Sequence, residues 1–524
     1  MERHYFNKEL LVLKIAAENR PKGGQLLAYP VGEMRKKYCG DVYEENPNFV
    51  TLVFNKELLN IFVPDMKFHI EFTVNRLNLK TQHRAVDIAV RSGLAPVLFP
   101  AAPQSSAPQQ TLPKLKLLGV NPEQIQPVQH IVAGSSKPAP YIVFGPPGTG
   151  KTATLVETIK QIIKCQPQSC ILACAPTNIA VDLICESLLK CMDQSKVYRI
   201  YAKTHNTQDV PENLKDCSNL VGKAFKFPRD IEDLKSVNIT TLLTSSRFVT
   251  DKFPQGSFTH VFVDDAGQAE ETKCILPLAG LLHPESGQVV LAGDPKQLKP
   301  IIRSPLAQRF GRGLSLLERL MTDVPLYQNM FDNRFITKLR CNYRSHPAIL
   351  KVPNELFYDR ELLACAEENQ RNSCCSFGFL PQKDFPIIFH EVTGSNTTKQ
   401  SSGFSFFNTA EVKVLMGYVR KLCEENVPPQ DIGIIAPFWK QVQKIQKALK
   451  EIQKDYRKYM SSLKVGTVES FQSQERRVIL VSTVCSSQPF FGNDKFNVAL
   501  TRAKALLIVV GNTKVLKSDP NWQQ

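Results

Sequence analysis

An α/β fold of two similar lobes, preceded by a small β-rich segment, is what this chain of 524 residues predicts. Three observations carry the prediction. Short continuous apolar runs alternate with amphipathic stretches from residue 112 onward, the signature of strands buried on both faces of a parallel sheet. The same pattern starts afresh near residue 335. Before residue 111, apolar residues instead alternate singly with polar ones, the period of half-buried strands. The length suits roughly three domains at about 150 residues each.

The elements follow in order. Phe68, Ile70, Phe72 and Val74 alternate with His69, Glu71 and Thr73, and similar runs at Phe49–Phe54 and Val86–Val90 predict a small antiparallel barrel or sandwich. AAPQSSAPQQT, at Ala101–Thr111, reads as a Pro/Ser/Gln-rich linker, so residues 1–111 form the first domain with its linker. Strands at Tyr141–Phe144, Cys170–Ala175, His260–Val263 and Val289–Ala292 then define a lobe over 112–334. Lys190–Val237 lacks a strand pattern and is expected to be a helical insertion in it. Ile432–Ala436, Val478–Thr483 and Leu506–Val510 define the second lobe, 335–524.

Composition narrows the functional classes. Apolar residues at 43% and charged residues at 22% are ordinary for folded chains and exclude disordered and collagen-like ones. Lys plus Arg exceed Asp plus Glu by 65 to 49, a net charge of +16 that favours an anionic partner, nucleic acid first. Fourteen cysteines, scattered except for Cys374-Cys375, show no zinc-ribbon or redox spacing and suit a reducing compartment. MERHYFNKEL lacks the apolar stretch of a signal peptide, and no apolar run reaches the ~18 residues of a membrane span. The expected location is the cytosol or nucleus, with no membrane partner.

The sharpest motif is Gly145-Pro146-Pro147-Gly148-Thr149-Gly150-Lys151-Thr152, set between a predicted strand and a helix striped by Leu155, Val156, Ile159, Ile162 and Ile163. Glycines let backbone N–H groups approach phosphates, Lys151 reaches the β/γ-phosphates, and the Thr152 hydroxyl is a Mg²⁺ ligand. ATP and Mg²⁺ are the expected cofactors. Upstream, Asn121-Pro122-Glu123-Gln124 opens another helix; Gln124 either completes a capping box or reads an adenine edge. Downstream, Asp264 and Asp265 end a strand, the first suited to Mg²⁺ and the second to the attacking water. Gln297 ends the next strand, where its amide could sense the γ-phosphate. A small-molecule kinase needs one such lobe and a lid, whereas this chain places Arg344 and Arg502 in a second lobe as candidate arginine fingers.

In order along the chain stand NPEQ, GPPGTGKT, CAPTNIAVD, DDAG, GDPKQL, NYRSHP, VGTVESFQSQE and NVALTRA. This set resembles superfamily-one helicases of the up-frameshift type over Asn121–Gly511, and IAAENRP with FTVNRLNLKTQHRAV resembles the Armitage and Moloney-leukaemia-virus-ten group of RNA helicases. The resemblance implies two RecA-like P-loop lobes with a partial N-terminal β-barrel-like domain. It further implies that Gln124 reads adenine, Tyr343 stacks on the base, Glu475 contacts the nucleotide, Gln297 couples nucleotide to nucleic acid, and Arg344 and Arg502 are the fingers. Thr177, Asn178 and Thr467 match positions that hold the RNA backbone, so binding of single-stranded RNA is expected to be largely sequence-independent. Movement from 5′ to 3′, roles in RNA silencing, decay or retroelement restriction, Argonaute-type or decay partners, and a cytoplasmic place in RNA granules or P-bodies are likewise implied by resemblance alone.

Two positions depart from the family. Asp265 stands where it has glutamate, and Ser473 where FQGQE has glycine. The missing methylene shortens the carboxylate's reach by roughly 1.5 Å, and a misplacement of that order costs about a hundredfold in rate. Reduced turnover is expected, relieved by Asp265→Glu. An ATP-responsive RNA clamp that hydrolyses poorly is the alternative, and the core motifs alone also suit a DNA helicase. Lys440–Lys464 reads as a lysine-rich helix with a solvated face or one lining an RNA path.

Overall fold

The computed structural model describes residues 2–6, 8–13, 25–32, 36–45, 50–54, 56–63, 66–73, 76–101, 112–115, 121–302, 304–328, 332–393, 406–452, 462–484, 492–519 and 522. It divides into two compact units, Met1–Thr81 and Gln82–Gln524. The linker expected at Ala101–Thr111 lies, beyond Ala101, outside the described residues.

Six antiparallel strands build the first unit, in the order Glu2–Phe6, Lys8–Leu13, Val50–Phe54, Tyr38–Glu45, Gln25–Pro30 and Phe68–Thr73. Alternation sets the faces: Phe68 and Ile70 pack onto Leu26, Ala28 and Leu52, while His69 and Glu71 are exposed. Val86–Val90 is not a strand. It lies in the helix Leu77–Arg91, whose Gln82, Ala85 and Ala89 are buried at helical spacing while Val90 is exposed. The five-residue run fits both periods, and only the longer window separates them.

The second unit holds both lobes. A seven-stranded parallel sheet runs in the order Ile336–Lys338, Tyr141–Phe144, Gln288–Gly293, His260–Val263, Ile171–Ala175, Val237–Thr241 and Val197–Arg199. Successive residues feed opposite cores: Ile142, Leu172 and Val261 face one side, Val143, Ala173 and Phe262 the other. Two expectations change here. The strand Ile336–Lys338 pairs with Tyr141–Phe144, so the first lobe's sheet extends past residue 334. The stretch from Lys190 to Val237 contains no α-helix; it forms the edge strand Val197–Arg199, a hairpin of Leu220–Val221 and Ala224–Phe225, and single turns of 3₁₀-helix. Its apolar residues are too sparse for a helical stripe and gather instead into a small cluster of Tyr201, Val210 and Phe225.

A five-stranded parallel sheet forms the second lobe, ordered Ile387–Glu391, Ala503–Gly511, Arg476–Ser482, Ile432–Ala436 and Lys464–Thr467. The lysine-rich helix is described over Trp439–Ile452, and the remainder of Lys440–Lys464 up to residue 461 lies outside the described residues. Val442, Ile445 and Leu449 anchor it, leaving Lys447 and Lys450 in solvent.

Glu411 is buried in this lobe, accepting from Ser482 Oγ at 2.5 Å, Val484 N at 3.0 Å and Asn408 Nδ2 at 3.3 Å. Burial outweighs those bonds and pushes its carboxyl up from 4.5 to about 7. The folded state therefore favours the neutral acid, a contribution complete below the unfolded value and lost as pH rises through about 7. Glu411→Gln retains an acceptor and cannot ionise. Its melting temperature should gain on the wild type as pH climbs from about 5 to about 8, by the equivalent of about 3 kcal/mol. A gap that does not vary with pH would refute the assignment.

Candidate active site

The phosphate loop leaves the sheet after Phe144 and enters the helix Lys151–Cys165, as its spacing predicts. Its backbone turns through φ +72° at Gly148 and +83° at Gly150, conformations open to glycine. A Cβ on Gly150 would collide with Gln124 Nε2, and one on Gly148 would lie 2.7 Å from Arg344 Cβ, so the glycines also admit their neighbours. Lys151 Nζ reaches the carbonyls of Gly145 at 2.5 Å and Pro146 at 3.3 Å. Burial lowers its pKa, while Asp294, Asp265 and Asp264 favour the charged form.

Thr152 Oγ1 donates to Asp264 Oδ2 at 2.7 Å. A hydroxyl and a carboxylate oxygen side by side beneath the loop form a hard oxygen donor set that fits Mg²⁺. Burial, then the neighbouring Asp265, raises Asp264 to about 6. Asp265 occupies a left-handed turn at φ +51°, and its Oδ2 accepts a hydrogen bond from Ser473 Oγ of the second lobe.

Gln124 performs two local tasks at once. Its Oε1 accepts from Asn121 N at 3.2 Å while Asn121 Oδ1 accepts from Gln124 N at 2.7 Å, completing the capping box. Its Nε2 faces the carbonyls of Thr149 and Gly150 at 3.4 and 3.5 Å. Tyr343 is 44% exposed beside it, with its phenol joined to Asn121 Nδ2. Gln124 is thus buried with both ends of its amide engaged, and the exposed Tyr343 ring beside it at one end of the phosphate loop is suited to the face of a base.

The arginines cross from the second lobe. Arg344 Nε donates to Glu475 Oε2 and Nη1 to the Thr501 carbonyl at 3.1 Å; Glu475 also pairs with Lys504 at 2.8 Å. Burial works against the Glu475 charge, yet Arg344 and Lys504 hold its carboxyl down to about 2. Arg502 Nη2 donates to Gln297 Oε1 at 3.1 Å, and Gln297 Nε2 donates to Asp294 Oδ2 at 3.0 Å. Burial, then Arg344, brings Arg502 down to about 9.

Thr177 and Thr467 lie at strand ends of different lobes: Thr177 caps the helix Asn178–Leu189, and Thr467 closes Lys464–Thr467. The Asn178 side-chain carbonyl is taken by Arg199 Nη2 at 2.9 Å, within a cluster that includes Asp182 and Tyr201. Further contacts at the junction join residues whose motifs do not reveal their partners, and Tyr358 and Trp439 lie outside the motifs altogether. Asp294 accepts from the Tyr358 hydroxyl at 2.7 Å, and Tyr358 in turn accepts from Asn497 Nδ2 at 2.6 Å. Asn342 Nδ2 donates to the Pro147 carbonyl at 2.6 Å, and Tyr343 N to the Gly148 carbonyl at 2.8 Å. Arg340 N and Cys341 N donate to Glu123 at 2.9 and 3.1 Å, whereas Ser345 Oγ and His346 N donate to the carbonyls of Ala503 and Lys504 at 2.7 and 2.8 Å. Trp439 is 57% exposed three residues after Ala436, which pairs directly with Thr467.

Tyr358→Phe tests the junction at Asp294. Nucleotide affinity should stay within about twofold while turnover falls about tenfold, because the lost hydroxyl leaves one lobe's partner for a buried carboxylate unmade. Equal losses in both, by calorimetry and steady-state kinetics, would place Tyr358 in nucleotide binding instead.

Comparison with known proteins matches residues 119–226 and 223–305 to an AAA domain family, residues 313–514 to a second AAA domain family, and residues 1–72 to the family described as the beta-barrel domain of helicase MOV-10. The chain is 48% identical over 557 residues to a Danio rerio protein named helicase mov-10-B.1, covering 98% of this chain and 55% of that one. A Gallus gallus protein named helicase MOV-10 is 45% identical over 571 residues, covering 99% and 58%. The Drosophila melanogaster protein named RNA helicase armi is 29% identical over 565 residues, covering 94% and 46%. The chain spans about half the length of the curated relatives it matches.

Proposed function

The chain belongs to the MOV-10 family of helicases, and on that premise we propose that it is an ATP-driven motor moving 5′-to-3′ along single-stranded RNA with little regard to sequence. The observation that carries the reading is the meeting of second-lobe side chains with the first lobe's phosphate site: Arg344 packs against Gly148 of the loop, Arg502 bonds Gln297, and Ser473 bonds Asp265. A nucleotide seated there touches both lobes, so binding and hydrolysis change how they meet.

Gln124 and Tyr343 hold the base, and the loop N–H groups with Lys151 hold the phosphates. Thr152 and Asp264 would hold Mg²⁺, which neutralises charge on the phosphate oxygens when bound. Asp265 accepts a proton from the attacking water as its oxygen bonds to the γ-phosphorus and the bond to ADP breaks. Arg344 and Arg502 stabilise the charge of the transferring group, with Gln297 relaying its presence to Arg502. Thr177, Asn178 and Thr467 contact the RNA backbone, and the exposed Trp439 ring offers a base-stacking surface beside Thr467. Roles in silencing, decay or retroelement restriction, Argonaute-type partners and a cytoplasmic, granule-associated location rest on the family likeness. A clamp that hydrolyses poorly is the second reading, favoured by the short Asp265 side chain.

RNA-stimulated ATP turnover beside Lys151→Ala tests the central reading: the wild type should respond to RNA, and the variant should lose tight ATP·Mg binding with the main cation facing the β/γ-phosphates. Turnover without any RNA response would favour another motor substrate, and binding without turnover the clamp. Single-stranded RNA affinity should fall steeply with salt, and Trp439→Ala should weaken it by about 1–3 kcal/mol with ATP affinity unchanged. Salt-insensitive binding, or an unaltered Trp439 variant, would contradict a backbone-tracking path with a stacking ring.

A further inference from the structure

Asp265 and Ser473, on turns of different lobes, touch each other. Ser473 lies on the turn between Glu469–Phe471 and the strand Arg476–Ser482 of the second lobe, and its Oγ donates to Asp265 Oδ2 on the turn after His260–Val263 of the first. Among the described residues, Ser473 is the one hydrogen-bond donor to that carboxylate. Both residues hold positive φ, +51° at Asp265 and +53° at Ser473, so each turn presents its side chain from a backbone that L-residues adopt at a cost.

The two side chains are complementary in reach and chemistry: the short Asp265 carboxylate accepts and the Ser473 hydroxyl donates. With Oδ2 held by Ser473, Oδ1 carries no hydrogen bond from the described residues. Asp265→Glu alone would project the longer side chain's carboxylate into the place that Ser473 Oγ fills, and Ser473→Gly alone would leave Asp265 without its donor.

We propose that Ser473 is a positioning residue that reaches across the cleft to aim the Asp265 carboxylate, so that Asp265 and Ser473 work as a matched pair. The proposal rests on the reading of the chain as an ATP-hydrolysing motor and deepens it. Hydrolysis then depends on lobe approach through this bond as well as through the arginines. The geometry also revises the sequence-based expectation for Asp265→Glu: the methylene helps only once Ser473 is gone.

The test is a double-variant cycle on the full chain, reading kcat and KM of RNA-stimulated ATP hydrolysis together with binding of a fluorescent ATP analogue. Ser473→Ala keeps Cβ and removes only the hydroxyl; kcat should fall about tenfold, with KM and analogue affinity within about twofold. Ser473→Gly and Asp265→Glu should each lower kcat, and Asp265→Glu/Ser473→Gly should restore it to at least the wild-type value. A merely structural role predicts losses in the single variants that add in the double. Additive losses, an unchanged Ser473→Ala kcat, or a gain from Asp265→Glu alone would overturn the pairing while leaving the motor reading intact. Wild-type turnover no greater than that of Lys151→Ala would overturn both.

Discussion

Asp294 is the buried carboxylate on which the meeting of the lobes depends. An ionised carboxylate removed from water costs several kcal/mol unless it is fully bonded. Here the partners come from both sides: Lys296 N and Gln297 from its own turn, and Tyr358 from the second lobe. Gln297 is thereby fixed with its carbonyl toward Arg502, and Tyr358 with its oxygen toward Asn497. If the lobes separated, the carboxylate would keep its local bonds and lose the Tyr358 hydroxyl. Closure is therefore favoured by a bond that only the closed arrangement makes.

The charges around that junction are closely matched. Arg344 and Lys504 flank Glu475, and Arg502 lies within the influence of Arg344, Glu475 and Asp265. Weakened Arg502 basicity follows first from burial, whereas strengthened Glu475 acidity is the work of its two cationic neighbours against burial. On the proposed reading such a set suits a polyanion, because burial and these partners fix the orientation of both guanidiniums.

What the sequence reveals of this arrangement follows from how local each signal is. The phosphate loop, the Asp264-Asp265 turn and the central strands are legible because chain neighbours supply the whole pattern: apolar runs for buried strands, glycines for the loop, a carboxylate at a strand end. The junction of Asp294, Tyr358 and Asn497 is not: Asp294 and Asn497 sit inside GDPKQL and NVALTRA, but their meeting through Tyr358 arises only when folding brings together residues far apart in the chain. Asp265 and Ser473 are legible as two separate oddities, and their contact is invisible until the lobes meet. Val86–Val90 and Lys190–Val237 mislead for a different reason: short or sparse apolar patterns fit more than one period, and tertiary packing decides between them.

The path between the lobes gives the stapled segment a mechanical meaning. Residues 340–343 are bonded to Glu123 and to the phosphate loop, while Ser345 and His346 are bonded to the strand Ala503–Gly511. Arg344 stands where the two sets of anchors meet: its N–H donates to Asn342 Oδ1 at 2.9 Å, and its guanidinium is held by Glu475 and the Thr501 carbonyl of the second lobe. The link between the lobes and the arginine proposed as a finger are then the same residue, so a change in the angle between the lobes would carry the guanidinium with it.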